Sequence, residues 1–145
     1  MRLRNSAVLT VGISSLLTFI PVSMHAQITN EIEATISHSF IVSTKTLPPG
    51  KYTFRMQQGS DGGIMTVTSA DGKNSDDFMV RESEASNTPA HTELVFRRYG
   101  NKEFLSKVYE GGNKIGVAMS EPSKLEKELI AQGQQPKEHT ESGGE

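Results

Sequence analysis

The chain has 145 residues, a formal net charge of −2 and no cysteine. This length suits one domain, and a chain without cysteine has no disulfide, no thiolate metal site and no cysteine nucleophile. The near-neutral charge lacks the basic footprint that is typical of nucleic-acid-binding proteins, so we expect no nucleic-acid partner.

The first 26 residues have the layout of a secretory signal peptide. Arg2 and Arg4 give a positive start, residues 7–20 are uncharged and mostly apolar, and the small residue Ala26 precedes Gln27. This order predicts cleavage between Ala26 and Gln27 and export to the periplasm or the extracellular space. A transmembrane span needs about 20 apolar residues, and this run is shorter. We therefore expect no transmembrane segment in the mature chain.

Alternating apolar and polar residues predict about seven strands after the leader. Residues 31–42 alternate over a length that is unusual for one strand, so we expect a bend or bulge near residues 37–39. Turn signals separate the later strands, among them the Leu-Pro-Pro-Gly segment at residues 47–50, a glycine-rich hairpin loop at residues 59–63 and the Asp71-Gly72 pair. The later strands are expected at residues 51–56, 64–68, 77–81, 93–99, 103–109 and 115–119.

A short amphipathic helix is predicted after the last of these strands. Pro122 suits the first helical turn, and Ser123 with Glu126 has capping-box spacing, so the helix begins at one of these two points. Gly133 can end it. Its apolar residues, Leu125, Leu129 and Ile130, would cover an open end or face of the sheet.

The predicted fold class is mostly β, an antiparallel meander forming a small barrel or a sandwich, with one C-terminal α-helix. The expected divisions are a signal peptide at residues 1–26, a β-domain with its helix at residues 27–131, and a tail at residues 132–145. The tail has no large apolar residue, which favours disorder.

Three stretches carry a resemblance when taken together: TLPPGKYT at residues 46–53, FRRYGNKEFLSKV at residues 96–108 and SKLEKEL at residues 123–129. They resemble a group of small, exported, β-rich bacterial proteins of unknown function, over about residues 32–130. The resemblance implies export and a β-rich fold, and it implies no activity. His38 departs from the group, in which an apolar residue is expected at that position.

Metal-binding patterns are weak in this sequence. Residues 71–77 place polar side chains at every second position, but Lys73 stands where a calcium loop requires an oxygen ligand, which favours a solvated hairpin. The three histidines of the mature chain, His38, His91 and His139, are far apart in sequence. Zinc ligands usually recur at short spacings, so we expect no metal and no other cofactor.

Catalytic patterns are equally weak. The sequence has no Gly-x-Ser-x-Gly elbow. Glu33, Glu93 and Glu103 lie on or at the ends of predicted strands, where two of them could form an acid/base pair, although a charged outer face of the sheet also explains them. These observations favour a protein that is not an enzyme.

Three residues are candidates for binding: Arg98, Tyr99 and His38. Arg98 shares parity with Leu94 and Phe96, so we expect it at the inner rim of the barrel. There it would pair with a carboxylate, cap backbone carbonyls or face a ligand. His38 lies on an apolar face, where a histidine is more often a core residue bonded to a backbone carbonyl than a general base.

The sequence therefore favours an exported, non-enzymatic protein that binds a ligand or a partner or associates with the cell envelope. Its ligand would be an envelope partner or a small apolar molecule inside a barrel. An interior filled by Phe40, Phe54, Phe78, Phe96 and Phe104 would exclude the small molecule. The alternative is a small hydrolase of envelope polymers, in which His38 and a carboxylate, or two carboxylates, would meet in a cleft.

Overall fold

The computed structural model describes residues 31–57 and 63–143, so the leader with Ala26 and Gln27, and most of the 59–63 loop, lie outside the described residues. Within the described residues the chain forms ten strands and one helix. In chain order they are β1 (Ile32–Ile36), β2 (Phe40–Val42), β3 (Lys45–Leu47), β4 (Gly50–Met56), β5 (Ile64–Ser69), β6 (Ser75–Glu84), β7 (Glu93–Tyr99), β8 (Lys102–Tyr109), β9 (Ile115–Met119), α1 (Lys124–Ala131) and β10 (Lys137–Ser142).

The strands form one large, open, mixed sheet. Hydrogen-bonded neighbours follow the order β1-β4-β5-β6-β9-β8-β2-β3, while β7 pairs with β8 and β10 pairs with β7. The mostly-β class with one helix near the C-terminus is confirmed, but the sheet does not close into a barrel. The meander is confirmed only for local hairpins such as β4-β5-β6 and β7-β8-β9, because β2 joins β8 as a parallel neighbour through Ile41 and Phe104.

Strand β6 belongs to both halves of this sheet. From Ser75 to Met79 it pairs with β5, and from Val80 to Glu84 it pairs with β9. Side chains from the two halves meet in one core, since the ring of Phe40 on β2 lies edge-on to Tyr52 on β4 with centroids 5.0 Å apart. The sheet therefore buries one face of each half against the other.

The core is filled by side chains. All five phenylalanines named above are buried, four of them in the main core and Phe104 in a second cluster under the helix. Each contributes about 1.5–3 kcal/mol by leaving water. Among the described residues, phenylalanine side chains thus occupy the interior in which a barrel would hold a small apolar ligand.

The first predicted strand is interrupted where a bend was expected. β1 ends at Ile36 and β2 begins at Phe40. Ile32, Ala34 and Ile36 are buried on one side of this interruption, and Phe40 is buried on the other, while His38 between them is half-buried. The bend brings the His38 side chain to the border of the core.

The predicted disordered tail is wrong for residues 137–142. These residues form β10, an antiparallel edge strand on β7, with Lys137 opposite Arg98 and Ser142 opposite Glu93. The segment has no apolar residue to show a two-residue period. It is held by backbone hydrogen bonds and by polar side chains that reach the neighbouring elements.

The helix begins and ends as the sequence indicates, but it packs differently. Ser123 caps it by accepting a hydrogen bond from the Glu126 backbone N–H, and Gly133 follows its last turn with φ of 81°. Leu125 and Ile130 are exposed, whereas Leu129 and the charged Glu126 are buried. The prediction that three apolar residues face the sheet is therefore wrong for Leu125 and Ile130. In the described part of the chain, no helix is long and apolar enough to cross a membrane.

A chain that ends at Gln135 tests the role of β10. Without residues 136–145, β7 keeps β8 but loses its second backbone partner, β10. Phe96 also loses the His139 ring that stacks on it, with centroids 5.6 Å apart. We expect the free energy of unfolding, measured by urea titration, to fall by at least about 1 kcal/mol. A chain that ends at Gly143 is the control and should match the full chain. Equal stability of the two shortened chains would contradict the pairing.

Candidate functional site

The two faces of β7 have different surroundings. Leu94 and Phe96 belong to the main core, whereas Tyr99 lies in the second cluster, in which Phe104 and Leu129 of the helix also pack. Alternate residues of a strand point to opposite faces. This part of the sheet is thus covered on one face by the other half of the sheet and on the other face by α1.

Glu126 anchors the helix to β7 through a buried charge. Its side chain is 2% exposed. The Arg97 Nη2 donates to Glu126 Oε2 at 3.1 Å, and the Tyr99 hydroxyl donates to Glu126 Oε1 at 3.1 Å. Burial, and then the negative charge of Glu126, raise the pKa of the Tyr99 hydroxyl. The predicted binding residue Tyr99 is therefore engaged within a structural network.

Arg98 lies at the rim of the sheet with its side chain about half exposed. Its guanidinium pairs with the buried carboxylate of Glu103, which stands opposite it on β8. The expected carboxylate partner is confirmed. The guanidinium neutralises a charge that would otherwise be buried alone.

His38 meets two residues of β10 at the border of the core. Its Nδ1 lies 2.9 Å from Glu141 Oε1, and the Ser37 hydroxyl donates to the same oxygen at 3.2 Å. The His139 ring lies 5.7 Å from the His38 ring, centroid to centroid. His38 Nδ1 thus lies against a carboxylate, whereas the sequence suggested a backbone carbonyl as its partner.

We call His38, His139 and Glu141 the histidine cluster. One donor atom from each of its three side chains lies within 4.8 Å of the others. Glu103 borders the cluster, since its Oε2 lies 3.5 Å from His139 Nδ1. Two polar atoms here, His38 Nε2 and Glu103 Oε2, are buried with no hydrogen-bond partner among the described residues.

No local sequence pattern indicates that these residues converge. Of His38, His91 and His139, the first and the last meet because β10 carries His139 to the position opposite Phe96, against whose ring His38 also packs. His91 stays outside the cluster, exposed in the loop between β6 and β7. Their meeting could have been predicted only if residues 137–142 had been identified as a strand.

The pair of His38 and Glu141 has the spacing of a base and its orienting carboxylate. A general base must present a nitrogen to the substrate. The Nδ1 of His38 faces Glu141, and its Nε2 is buried. Two of the carboxylates considered as acid/base partners are in separate ion pairs, Glu33 with Lys51 at 2.6 Å and Glu103 with Arg98.

An open cleft of about 400 Å³ lies beside the histidine cluster. One wall is the loop of residues 85–90, which is held in place by a hydrogen bond from the Gly112 N–H to the Pro89 carbonyl. The lining residues are Glu84, Ala85, Ser86, Asn87, Thr88, Pro89, Ala90, Glu93, Val95, Lys107, Tyr109, Glu138, His139 and Thr140. Three glutamates and one lysine give this cleft a negative charge.

The charges of the cleft are partly paired. Lys107 Nζ lies 3.6 Å from Glu138 Oε1, and Lys114 Nζ lies 2.5 Å from Glu84 Oε1. The Lys114 ammonium lowers the pKa of the Glu84 carboxyl, which stays ionised at neutral pH. Glu93 has no ion-pair partner within 4.0 Å in the described part of the chain.

The three candidate binding residues thus lie in three different settings: Tyr99 under the helix, Arg98 in a rim ion pair, and His38 in the histidine cluster. Comparison of the chain with protein-family models, with curated proteins and with solved structures found no match in any of the three.

Replacing Glu126 tests the anchoring of the helix. Glu126→Ala leaves the Tyr99 hydroxyl and the Arg97 guanidinium without their shared partner, so we expect the free energy of unfolding to fall by about 2–4 kcal/mol in urea titration. Glu128→Ala, an exposed site on the same helix, is the control and should change it by no more than about 0.5 kcal/mol. Similar losses in both variants would refute an anchoring role.

Proposed function

We propose that this chain is an exported, non-enzymatic binding module of the cell envelope that holds a cationic segment of a partner in its open cleft. The observation that carries this proposal is the cleft itself, about 400 Å³ in volume and lined by Glu84, Glu93 and Glu138. Acidic walls attract a positively charged partner and repel an acidic one. Lysine and arginine side chains of a protein segment supply that charge.

The filled core supports binding at the surface. A small apolar ligand would need space among the buried phenylalanines, and these pack against one another, as Phe40 does against Phe96 with ring centroids 6.0 Å apart. The cleft is lined mainly by polar side chains and is open to solvent. It therefore suits a polar partner better than an apolar molecule.

The ion pairs of the buried glutamates support a non-enzymatic role. Catalysis by a histidine or a glutamate needs a free nitrogen or oxygen directed at the substrate. Glu103 and Glu126 are buried with cationic partners. The 2.9 Å approach of His38 to Glu141 is the contact that favours the alternative, a small hydrolase of envelope polymers. Release of soluble fragments from purified envelope polymer by the wild-type chain, lost in His38→Ala, would support that alternative.

Export is tested by the mass of the secreted chain. When residues 1–145 are expressed in a bacterial host, we expect a product in the periplasm or the medium whose mass corresponds to a chain starting at Gln27. Leu16→Arg places a charge in the apolar run and should retain the uncleaved chain in the cytoplasm, whereas Asn5→Arg adds the same charge to the already positive start and should not. An exported chain that keeps residues 1–26 would contradict the predicted cleavage.

Binding in the cleft is tested with a hexalysine peptide as the probe, by calorimetry at low ionic strength. The Gln variants of Glu84, Glu93 and Glu138, combined in one chain, remove three cleft charges and should lower the affinity by about tenfold or more.

The control combines Glu33→Gln, Glu82→Gln and Glu128→Gln, which remove three exposed charges on β1, β6 and α1. It should keep the affinity within about twofold of the wild type, because screened charges outside the contact act weakly. Equal losses in the two triple variants, or no binding by the wild type, would overturn the cleft as the binding site.

A further inference from the structure

The histidine cluster is a separate feature from the cleft charges, and its chemistry points to a metal. Two imidazoles and a carboxylate are the donor set that suits zinc, and three such ligands with one open position are a recurring zinc arrangement. We propose that His38, His139 and Glu141 bind one Zn²⁺ ion. The inference is independent of the cationic partner proposed for the cleft.

The distances fit this proposal after a small adjustment. Tetrahedral zinc with bonds of about 2.0–2.2 Å separates its ligand atoms by about 3.4 Å. One ligand atom from each of the three side chains lies within 4.8 Å of the others, and His38 Nδ1 lies 2.9 Å from Glu141 Oε1. Zinc binding would therefore require the most distant pair of ligand atoms to approach each other by at most about 1.4 Å. Rotation of the half-buried side chains can supply this movement.

Neighbouring side chains are placed to hold the three ligand residues in position, as they do in known zinc sites. A histidine that binds zinc through one nitrogen commonly donates its other N–H to a carboxylate. His139 Nδ1 faces Glu103 Oε2 at 3.5 Å, which leaves Nε2 for the metal and offers a donor to a buried oxygen that lacks a partner among the described residues. The Ser37 hydroxyl in turn holds Glu141 by donating to Oε1.

The charges around the cluster are compatible with a divalent cation. Glu141 and Glu103 bring two carboxylates to the cluster, and Arg98 is the cation that pairs with Glu103 from the rim. The side chains of His38 and Glu141 are each 23% exposed and that of His139 is 31% exposed. An ion can therefore enter from solvent, and its fourth position stays open to water or to a donor from a partner.

Zinc bound here would fasten β10 to the β1–β2 bend. His38 belongs to the bend, whereas His139 and Glu141 belong to β10, an edge strand that pairs with β7. A ligand that binds the folded chain alone raises its stability in proportion to the logarithm of the ligand concentration. Zinc should thus stabilise the domain and reduce the fraying of its C-terminal strand.

The first test uses the unmodified mature chain, residues 27–145, after treatment with a chelator. Calorimetry with ZnCl₂ should give one equivalent of bound ion, MgCl₂ should give none, and the melting temperature should rise with zinc alone. In two-dimensional NMR spectra of the imidazoles, the signals of His38 and His139 should shift on adding zinc while that of His91 stays in place. Absence of binding, or shifts confined to His91, would overturn the proposal without any variant.

The second test compares single substitutions of the three histidines. His38→Ala and His139→Ala should each lower the zinc affinity by about 100-fold or more, and His91→Ala, an exposed control, should leave it unchanged. Co²⁺ should give the visible absorption of a tetrahedral site in the wild type and in His91→Ala, and this absorption should be lost in the other two. Circular dichroism verifies that each variant is folded. Unchanged affinity in folded His38→Ala or His139→Ala would refute the assignment.

Discussion

The backbone ladder between β10 and β7 is the contact on which the histidine cluster and the cleft both depend. Its register places His139 opposite Phe96 and Glu141 opposite Leu94, so that both reach the side of the sheet where His38 lies. A shift of one residue would turn Glu138 and Thr140 to that side instead, because successive residues of a strand point to opposite faces. The same strand supplies Glu138 and Thr140 to the cleft. One edge strand therefore contributes to both candidate sites.

The two faces of β7 are covered through different interactions. The core face is held by apolar burial, whereas the helix is held on the opposite face by a charge, since Glu126 takes hydrogen bonds from Arg97 and Tyr99. A buried ion pair adds little net stability, because removing both charges from water costs nearly as much as their attraction returns. The ion pair does specify one position for the helix, since any other position would leave the buried charge of Glu126 without a partner.

The sequence predicted what local periodicity encodes. Strands β4, β5, β7, β8 and β9 appear where apolar and polar residues alternate, and the capping pair of Ser123 and Glu126 marks the start of the helix. The missed elements lack that signal, since β3 has only three residues and β10 has no apolar residue. The cluster was missed because His38 and His139 are about 100 residues apart in the sequence, and no local pattern encodes their meeting. Arg98 was expected to have a carboxylate partner because a charge next to a core needs one, and Glu103 is that partner.

The continuity of β6 through both halves of the sheet has a consequence for how the domain comes apart. A single unbroken strand, Ser75–Glu84, carries one ladder with β5 and another with β9. Because β6 pairs with strands of both halves, unfolding of one half removes the hydrogen-bonding partner of a strand in the other half. We therefore expect the two halves to unfold together as one cooperative unit.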